Sequence, residues 1–332
     1  MFTFGIVGDV HISDVPPNTR KDDYRATVLK KLEFIIDQSN ARKYDALIFV
    51  GDVFHKHVPS RNTHFMISAL IKLFEKSQVP IYVVAGNHDI HGNMSAFAEQ
   101  PLNVLIQSGS MKLLDSTGPI LFEDDFGFHV SLNGHSYSPT LDSVDGAKFY
   151  DLNHHDNAFK ISVFHQMLLP DDKRFYINYI NFKDVANTNA DVIVCGHYHD
   201  GFNPSVINAY GKYFINGGSI TRGTAEQSNL DKEPKYVELK LSSDGTNVSI
   251  ETFDVAIPFV PSEEVFDFQV IDRNKKKKDL HEFMDGLSEM EDQALSTQEP
   301  QGVIVALKAL GITDRLSEIA LKYLEDAYAE LS

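Results

Sequence analysis

The sequence has little cysteine, little positive charge and no long hydrophobic run. Its 332 residues contain one cysteine, Cys195, and no tryptophan. A single thiol excludes a disulfide within the chain and is typical of a reducing compartment. Because Cys195 ends an apolar run, we expect it to be a buried strand residue. No signal peptide and no run of roughly 18 apolar residues is present, so we expect a soluble cytoplasmic protein with no membrane partner.

Positive charge is scarce throughout the chain. Thirty lysine and arginine residues face 47 aspartate and glutamate residues, which gives a net charge of −17. This balance repels nucleic acids, membrane surfaces and phosphorylated partners at long range. Two bound divalent cations add four positive charges locally, however, and can reverse the sign of a pocket. The charge therefore argues against binding of nucleic acid without excluding it.

The pattern of apolar residues predicts alternating strands and helices. Strands are predicted at 2–7, 46–50, 81–85, 160–164, 191–195, 235–241 and 248–255, helices at 22–40 and 61–76, and short strands with turns between 111 and 134. Alternating units of this spacing form a parallel-rich layered sheet. The sequence therefore predicts an α/β domain over residues 1–257.

Two prolines, Pro258 and Pro261, mark a predicted boundary after this domain. A strand at 265–271 and a helix at 279–291 predict a reduced α+β capping domain over 258–298. Helices at 299–310 and 313–331 predict a C-terminal segment over 299–332. The last of these helices carries an apolar stripe from Leu316 to Leu331, which must pack on its own domain or on another chain.

Five short segments rich in aspartate, asparagine and histidine follow predicted strands. They are Asp9-Val10-His11, Gly51-Asp52-Val53-Phe54-His55, Gly86-Asn87-His88-Asp89, His165, and Gly196-His197-Tyr198-His199. Open α/β folds bind their ligands at the carboxyl ends of the strands. The sequence therefore predicts one site with oxygen and nitrogen ligands at this edge of the sheet.

The spacing of these residues predicts two metal ions that share one carboxylate. Residues two apart on a strand point to the same side, so Asp9 and His11 reach one ion. The two oxygens of Asp52 bridge the ions at the ~3.5–4 Å separation of binuclear hydrolases. Nitrogen and oxygen ligands without thiolate favour manganese, iron or zinc. We assign the first ion to Asp9, His11, Asp52 and His199, and the second to Asp52, Asn87, His165 and His197.

Such a metal pair activates a bridging water and polarises a phosphoryl oxygen, which predicts hydrolysis of phosphate esters. His88 is predicted to stabilise the charge of the phosphorane or to protonate the leaving oxygen. His55 is predicted to orient the phosphate, with a loop-capping role as the alternative. Asp89 is predicted to hold the His88 ring by a hydrogen bond.

Two further interpretations complete the motifs. The glycines before the ligands, Gly51, Gly86 and Gly196, are predicted to allow a positive φ or a close approach of the backbone. Seven other histidines are interpreted as ordinary polar residues: His64, His91, His129, His135, His154, His155 and His281.

The order D-x-H, G-D, G-N-H-D, H and G-H-x-H resembles the calcineurin-like metallophosphoesterases over residues 3 to about 222. The segments 51–55, Pro59-Ser60 and 164–166 are further similar to the SbcD-type DNA-repair nucleases, related to the meiotic-recombination nuclease. Ile12-Ser13 stand where that family usually has Leu-Gly. The resemblance implies an α/β/β/α layered sandwich, two manganese ions, and exonuclease and endonuclease action at DNA ends.

The resemblance also implies partners. Members of the SbcD family bind an SMC-like coiled-coil ATPase of the SbcC type, through a helical segment after the capping domain. They dimerise through helices near the second and third motifs, here 61–74 and 93–106. We therefore expect DNA, an SbcC-type ATPase and a homodimer within a heterotetramer.

Two other functions stay open at this point. A free-standing metallophosphodiesterase or phosphatase acting on a small nucleotide or a phosphoprotein suits the acidity of the chain. A scaffold without catalysis usually requires missing ligands, and none is missing here. Measuring activity on DNA ends and on cyclic nucleotides would separate the nuclease from the free-standing phosphodiesterase.

Overall fold

The computed structural model describes residues 1–91, 94–141, 146–173, 178–224 and 227–273. The chain divides into two compact units, Met1–Phe268 and Gln269–Ser332. Of the second unit, only residues 269–273 are described. The helices predicted at 279–291, 299–310 and 313–331 lie outside the described residues, and so does the boundary predicted at 298.

Fourteen strands lie in the described part of the chain. In chain order they are β1 (Phe2–Val7), β2 (Ala46–Phe49), β3 (Ile81–Val83), β4 (Lys112–Leu113), β5 (Ile120–Glu123), β6 (His129–His135), β7 (Phe159–Phe164), β8 (Leu168–Leu169), β9 (Ile180–Asn181), β10 (Val192–Cys195), β11 (Val206–Ala209), β12 (Lys212–Ile215), β13 (Lys235–Ser243) and β14 (Val248–Ala256). The strands predicted from the sequence before residue 258 are therefore confirmed.

Twelve of these strands form two six-stranded sheets. The first has the order β14-β13-β1-β2-β3-β4, and the second has the order β11-β12-β10-β7-β6-β5. Strands β1 to β4 pair in parallel, as do β12, β10, β7 and β6. Strands β13, β14, β11 and β5 join by antiparallel pairing, and β8 and β9 form a separate parallel pair. Each sheet thus presents several parallel carboxyl ends at one edge.

Six α-helices lie wholly within the described part of the chain. They are α1 (Tyr24–Ala41), α2 (His64–Phe74), α3 (Pro101–Gln107), α4 (Leu114–Thr117), α5 (Gln227–Leu230) and α6 (Ser262–Val265). The side chain of Asp23 caps α1 by accepting from the backbone of Ala26, and Thr63 caps α2 through Met66. These caps satisfy backbone N–H groups that have no partner within the helix, and they fix where each helix begins.

The two sheets pack face to face, with helices on the outer face of the first. Alternate residues of β1, such as Phe4, meet Leu132 and Ile161 of the second sheet in the central core. The other face of the first sheet packs on α1 and α2, where Phe49 belongs to the same buried cluster as Leu32. This alternation follows from the two-residue period of a strand.

The outer face of the second sheet is covered by short 310-helices and loops. The ring of Phe182, in the 310-helix Phe182–Val185, stacks on Phe214 of β12 with centroids 3.9 Å apart. Cys195 is buried in the same hydrophobic cluster as these two rings, as predicted. The predicted four-layer arrangement is confirmed, with 310-helices as its fourth layer.

The strand predicted at 265–271 is wrong. Glu263 and Glu264 lie in the first turn of α6, where acidic side chains favour a helix start. Val265 and Phe266 are buried, and Phe266 forms a single β-bridge with Arg20 before a helix begins at residue 268. These two residues are buried by packing within the first unit. The alternating pattern alone did not distinguish such packing from strand pairing.

Candidate metal centre

The five motifs meet at one edge of the two sheets. Asp9 follows β1, Asp52 follows β2 and Asn87 follows β3 in the first sheet. His165 comes directly after β7, and His197 lies two residues beyond β10 in the second sheet. Because these strands are parallel, their carboxyl ends deliver all five segments to the same place.

Three of the predicted ligands have a left-handed backbone. The φ angles are 49° at His11, 47° at Asp52 and 71° at His197. Side chains other than glycine rarely adopt this region, and each such residue costs about 1–3 kcal/mol. Only six non-glycine residues of the described segments have positive φ, so half of them lie in this one site. Strain of this kind is typical of functional sites.

The glycines before the ligands allow the loops to approach closely. Gly51 has a φ of 103°, and a Cβ built there would lie 2.5 Å from Nδ1 of His165. A Cβ on Gly86 would lie 2.1 Å from Oδ1 of Asp52. A Cβ on Gly196 would lie 2.8 Å from Oδ1 of Asp9. No side chain fits at these positions without moving a ligand, which confirms the predicted reason for the glycines.

Asp52 lies at the centre of the site, and its two oxygens differ. Oδ1 accepts a hydrogen bond of 2.8 Å from the backbone N–H of His88. Oδ2 is buried without a hydrogen-bond partner, and lies 3.5 Å from Nε2 of His11 and 3.4 Å from Nε2 of His165. Oδ2 therefore lies between the two groups of ligands, and bridging of two ions through both oxygens of Asp52 stays a prediction.

The first predicted ligand group is brought together. The donor atoms of Asp9, His11, Asp52 and His199 lie within 4.8 Å of one another. Nε2 of His199 is 3.1 Å from Oδ2 of Asp9 and 2.9 Å from Nε2 of His11. The side chain of His199 is 44% exposed, whereas that of Asp52 is fully buried. The site therefore opens towards solvent on the side of His199.

The second predicted group is brought together as well. Donor atoms of Asp52, His165 and His197 lie within 4.8 Å of one another, and Oδ1 of Asn87 is 3.1 Å from Nε2 of His165. Nδ1 of His165 lies 2.7 Å from the carbonyl oxygen of Val50. A ring that donates from Nδ1 to a carbonyl leaves Nε2 directed at the site.

The electrostatics of the site suit cations. Burial lowers the pKa of His11 to about 3 and, together with the charge on His165, lowers that of His197 to about 4. These rings are therefore neutral, which is the form that binds metals. Burial raises the pKa of Asp9, but the hydrogen bond with His199 and the charges on His165 and His199 together outweigh burial and lower this pKa to about 2. Asp9 is therefore ionised.

His165 shows where the field is strongest. Burial lowers its pKa, but the Asp52 carboxylate, the charge on Asp9 and the hydrogen bond to Val50 together outweigh burial and raise the pKa to about 10. The carboxylates thus hold positive charge at this ring, where a divalent cation would replace the proton. With the unpartnered Oδ2 of Asp52, the neutral imidazoles and the amide oxygen of Asn87, these residues fit two divalent cations.

His88 and His55 lie beside the first ligand group. Nδ1 of His88 lies 2.7 Å from the carbonyl oxygen of His55, and the two rings are stacked with centroids 5.5 Å apart. The ring of His88 is 4.8 Å from that of His11. The bond through Nδ1 leaves Nε2 of His88 available to a substrate.

Asp89 has a different role from the one predicted. Its buried carboxylate accepts from the backbone N–H groups of Val53, Phe54 and Gly86 at 3.2, 2.9 and 3.0 Å. It therefore joins the second motif to the third, and the predicted hydrogen bond to the His88 ring is replaced by the bond to His55. Burial, followed by the charge on Asp52, raises the pKa of Asp89 to about 7.

Sequence reasoning missed two neighbours of the site. Lys232 donates from Nζ to the carbonyl oxygen of His199. The Tyr137 ring lies 5.7 Å from that of His197 and 6.3 Å from that of His165. Tyr137 follows β6 at the same edge of the sheet, and this position was the available signal. Lys232 is distant in sequence from every motif and gave none.

Comparison with known proteins agrees with this site. The calcineurin-like phosphoesterase family matches residues 2–201. A DNA double-strand break repair protein Mre11 from Archaeoglobus fulgidus is 22% identical over 353 residues, which cover 99% of this chain and 73% of the relative.

Solved structures are also similar to the chain. A dimetal phosphatase from Danio rerio is 15% identical and covers 78% of this chain and 99% of its own, with a TM-score of 0.48. A protein from Thermus thermophilus is 11% identical and covers 76% of this chain and 98% of its own, with a TM-score of 0.42. Among the described residues, no helix has the length and hydrophobicity needed to cross a bilayer. From the match over residues 2–201, the chain belongs to the calcineurin-like phosphoesterase family.

Proposed function

We propose that the chain is a two-metal phosphodiesterase that cleaves DNA at its ends, as an exonuclease and an endonuclease. The observation that carries the two-metal part is Oδ2 of Asp52, a buried carboxylate oxygen without a hydrogen bond between two imidazole nitrogens. Leaving such an atom unpaired is costly, and two shared cations would compensate it. Manganese is the metal we expect, with iron or zinc as alternatives.

Three groups of potential ligand atoms cluster here, and in this proposal two of them hold the ions, while the third, His11, His55 and His88, contains the proposed catalytic histidines. Asp9, His11, Asp52 and His199 hold one ion, and Asp52, Asn87, His165 and His197 hold the other. When bound, such ions activate a water and stabilise the charge of an in-line displacement. The carbonyl of Val50 fixes His165, and the backbone N–H of His88 fixes Asp52. These bonds orient the ligands before any substrate arrives.

His88 is the proposed acid or charge-stabilising residue. Its Nδ1 is engaged by the carbonyl of His55, so Nε2 is the atom left to donate to a phosphoryl or leaving oxygen. The ring of His55 stacks beside it and is proposed to orient the phosphate. Because the bond to His88 uses the backbone of His55, the His55 side chain stays free for this task.

DNA as substrate rests on the relative and on the motifs. The archaeal relative whose name describes repair of DNA double-strand breaks is similar over 99% of this chain. The segment 51–55 with Pro59-Ser60 adds the resemblance to SbcD-type nucleases. We further propose an intracellular protein that forms a homodimer and binds an SbcC-type ATPase through residues 299–332.

A second function is favoured by the charge of the chain. A net charge of −17 suits a small nucleotide or a phosphoprotein better than a polyanion. A scaffold without catalysis is disfavoured, because the structure brings all seven predicted ligands together.

The substrates that the protein cleaves in the presence of manganese separate the nuclease function from the phosphodiesterase or phosphatase function. The purified protein would be given linear duplex DNA, closed circular single-stranded DNA, a cyclic nucleotide and a phosphopeptide. We expect shortening of the linear duplex and nicking of the circle, with little turnover of the small substrates. Efficient hydrolysis of a small substrate, while both DNA substrates stay uncleaved, would exclude the nuclease function. Asp52→Asn serves as the inactive control.

A further inference from the structure

A second pair of histidines lies next to the proposed catalytic pair. Nδ1 of His91 and Nε2 of His57 are 3.0 Å apart, and the two rings are tilted by 42° with centroids 4.9 Å apart. His57 is two residues beyond His55, and His91 is three residues beyond His88. Two residues of chain span at most about 7 Å. The pair therefore lies close to the loops that carry the proposed catalytic histidines.

The backbone that carries the pair is held in place. Asn62 is 5% exposed, and its side-chain amide donates to the carbonyl oxygens of Lys56 and Val58 at 2.8 and 3.0 Å. The carbonyls on both sides of His57 are thus fixed. His91 follows Ile90, which is buried in the core of the first sheet. Neither ring therefore depends on a freely moving loop for its position.

The rings present a hydrogen-bond donor to solvent. His91 is exposed and His57 is half-buried. One ring donates to the other, and whichever ring accepts must carry its own proton on its outer nitrogen. Within the described segments, neither outer nitrogen has a hydrogen-bond partner. The pair thus offers at least one N–H group near the site that no described residue uses.

The charge around this pair differs from that of the whole chain. The protein has 47 acidic residues, yet the sequence has none from 53 to 74 and none from 90 to 98. Lys56 and Arg61 are exposed within the first of these stretches. This flank of the site therefore has fewer acidic residues along the chain than the average composition gives, which favours binding of an anion.

We propose that His57 and His91 form an anchoring subsite for a phosphate of the polynucleotide next to the one that is cleaved. This inference rests on the proposed function, since it requires a substrate with more than one phosphate. The pair would contribute to binding and not to the chemical step. A small diester has no phosphate to place there.

The test compares two substrates in variants that keep the aromatic ring. His57→Phe and His91→Phe remove the nitrogens, and His155→Phe is the control, because His155 is an exposed histidine outside this pair and outside the segments 61–74 and 93–106. Initial rates would be measured on a single-stranded oligodeoxynucleotide and on bis(4-nitrophenyl) phosphate. Bound metal would be counted in each protein.

We expect kcat/KM on the oligonucleotide to fall roughly 5- to 10-fold in either variant, as for the loss of one hydrogen bond, mainly through KM. Activity on the small diester, two bound ions per chain and the control should stay unchanged. The double variant should lose no more than either single variant, because the two rings act as one unit.

Four results would overturn the inference. Unchanged oligonucleotide cleavage would show that the pair does not bind substrate. Equal losses on both substrates would assign the pair to the support of the metal centre. Loss of a third bound ion in the variants would make it a metal site. Wild-type protein that cleaves the small diester but no DNA would refute the proposed nuclease function itself, and the inference with it.

Discussion

At the residue scale, the two oxygens of Asp52 have separate tasks. Oδ1 holds the backbone of His88, and Oδ2 faces the imidazoles of both ligand groups. An amide in place of the carboxylate can keep the first contact through its oxygen, but it removes the negative charge from the second. The substitution therefore separates the structural role of this side chain from its role towards cations.

We expect Asp52→Asn to keep the fold and to lose metal-dependent hydrolysis by more than about 100-fold. Removing a group that only supports a ligand typically costs about 10–100-fold, and loss of a ligand itself should cost more. Bound metal would be measured beside activity. Asp156→Asn, at an exposed position, is the matched control. Two bound ions with full activity in Asp52→Asn would refute the bridging role.

His88 allows a ligand to be distinguished from a catalytic residue. His88→Ala should keep both ions, because its ring belongs to neither proposed ligand set, and should lose activity by about 10²–10⁴-fold. Metal content and kcat on a phosphodiester would be measured together. Loss of an ion in this variant would mean that His88 is a ligand.

Much of the site could be predicted residue by residue. Aspartate and histidine two positions apart after a strand indicate a shared direction, and this spacing identified Asp9 with His11 and His197 with His199. The partners of Asp89 could not be predicted, because they are backbone groups of another loop. The same holds for the bond from Lys232 to His199, which joins residues 33 positions apart.

At the scale of elements, His154 links two strands of the second sheet. The ring is buried, and its nitrogens lie 3.1 Å from Oγ of Ser131 on β6 and 2.9 Å from Oγ of Ser162 on β7. Sequence reasoning assigned no special role to His154, because its hydrogen-bond partners, Ser131 and Ser162, are known only once the strands are paired. Burial, followed by the charge on Lys160, lowers its pKa to about 4.

This histidine should make the fold sensitive to acid. Its folded pKa lies below the ordinary value of 6.5, so the unfolded chain binds more protons between pH 4 and 6.5. Stability is therefore lost as pH falls through this window, by up to about 3 kcal/mol at 1.36 kcal/mol per pKa unit.

A variant without the titrating ring of His154 tests this dependence of stability on pH. His154→Gln should lose some stability at pH 7 but should show a shallower fall in the free energy of unfolding between pH 6.5 and 4, measured by urea denaturation. His155→Gln, at the exposed neighbour, should keep the wild-type dependence. Identical slopes in all three proteins would show that His154 does not titrate in this window.

The elements also show where patterns fail. The runs that became β1, β2 and β3 are apolar on both faces because each sheet face is covered, and buried parallel strands have this property. The segment 265–271 has a similar pattern, but Val265 ends α6 and Phe266 forms a single bridge with Arg20. Periodicity reports burial, and the partner that causes it must come from the tertiary structure.

At the scale of the whole molecule, the proposed partner depends on residues outside the described part of the chain. Truncation after Gly311 removes the predicted helix at 313–331. We expect the truncated protein to keep manganese-dependent phosphodiesterase activity, because the metal centre lies within Met1–Phe268. It should no longer co-purify with an SbcC-type ATPase and should lose ATP-stimulated degradation of DNA.

Two outcomes would contradict this expectation in different ways. A truncated protein that unfolds would make the last helix part of the core. A truncated protein that folds and still binds the ATPase would place the docking surface elsewhere. A full-length chain with Leu316→Asp tests the apolar stripe without shortening the molecule, and binding would be followed by co-purification.

The left-handed backbone at His11, Asp52 and His197 has a consequence for engineering. Glycine adopts this conformation without the cost that other residues bear, so glycine at any of the three positions relieves local strain while it deletes a proposed ligand. A library selected for heat resistance alone would therefore collect glycines here and yield robust, inactive proteins. Selection must include turnover, because in this fold durability and catalysis compete for the same three positions.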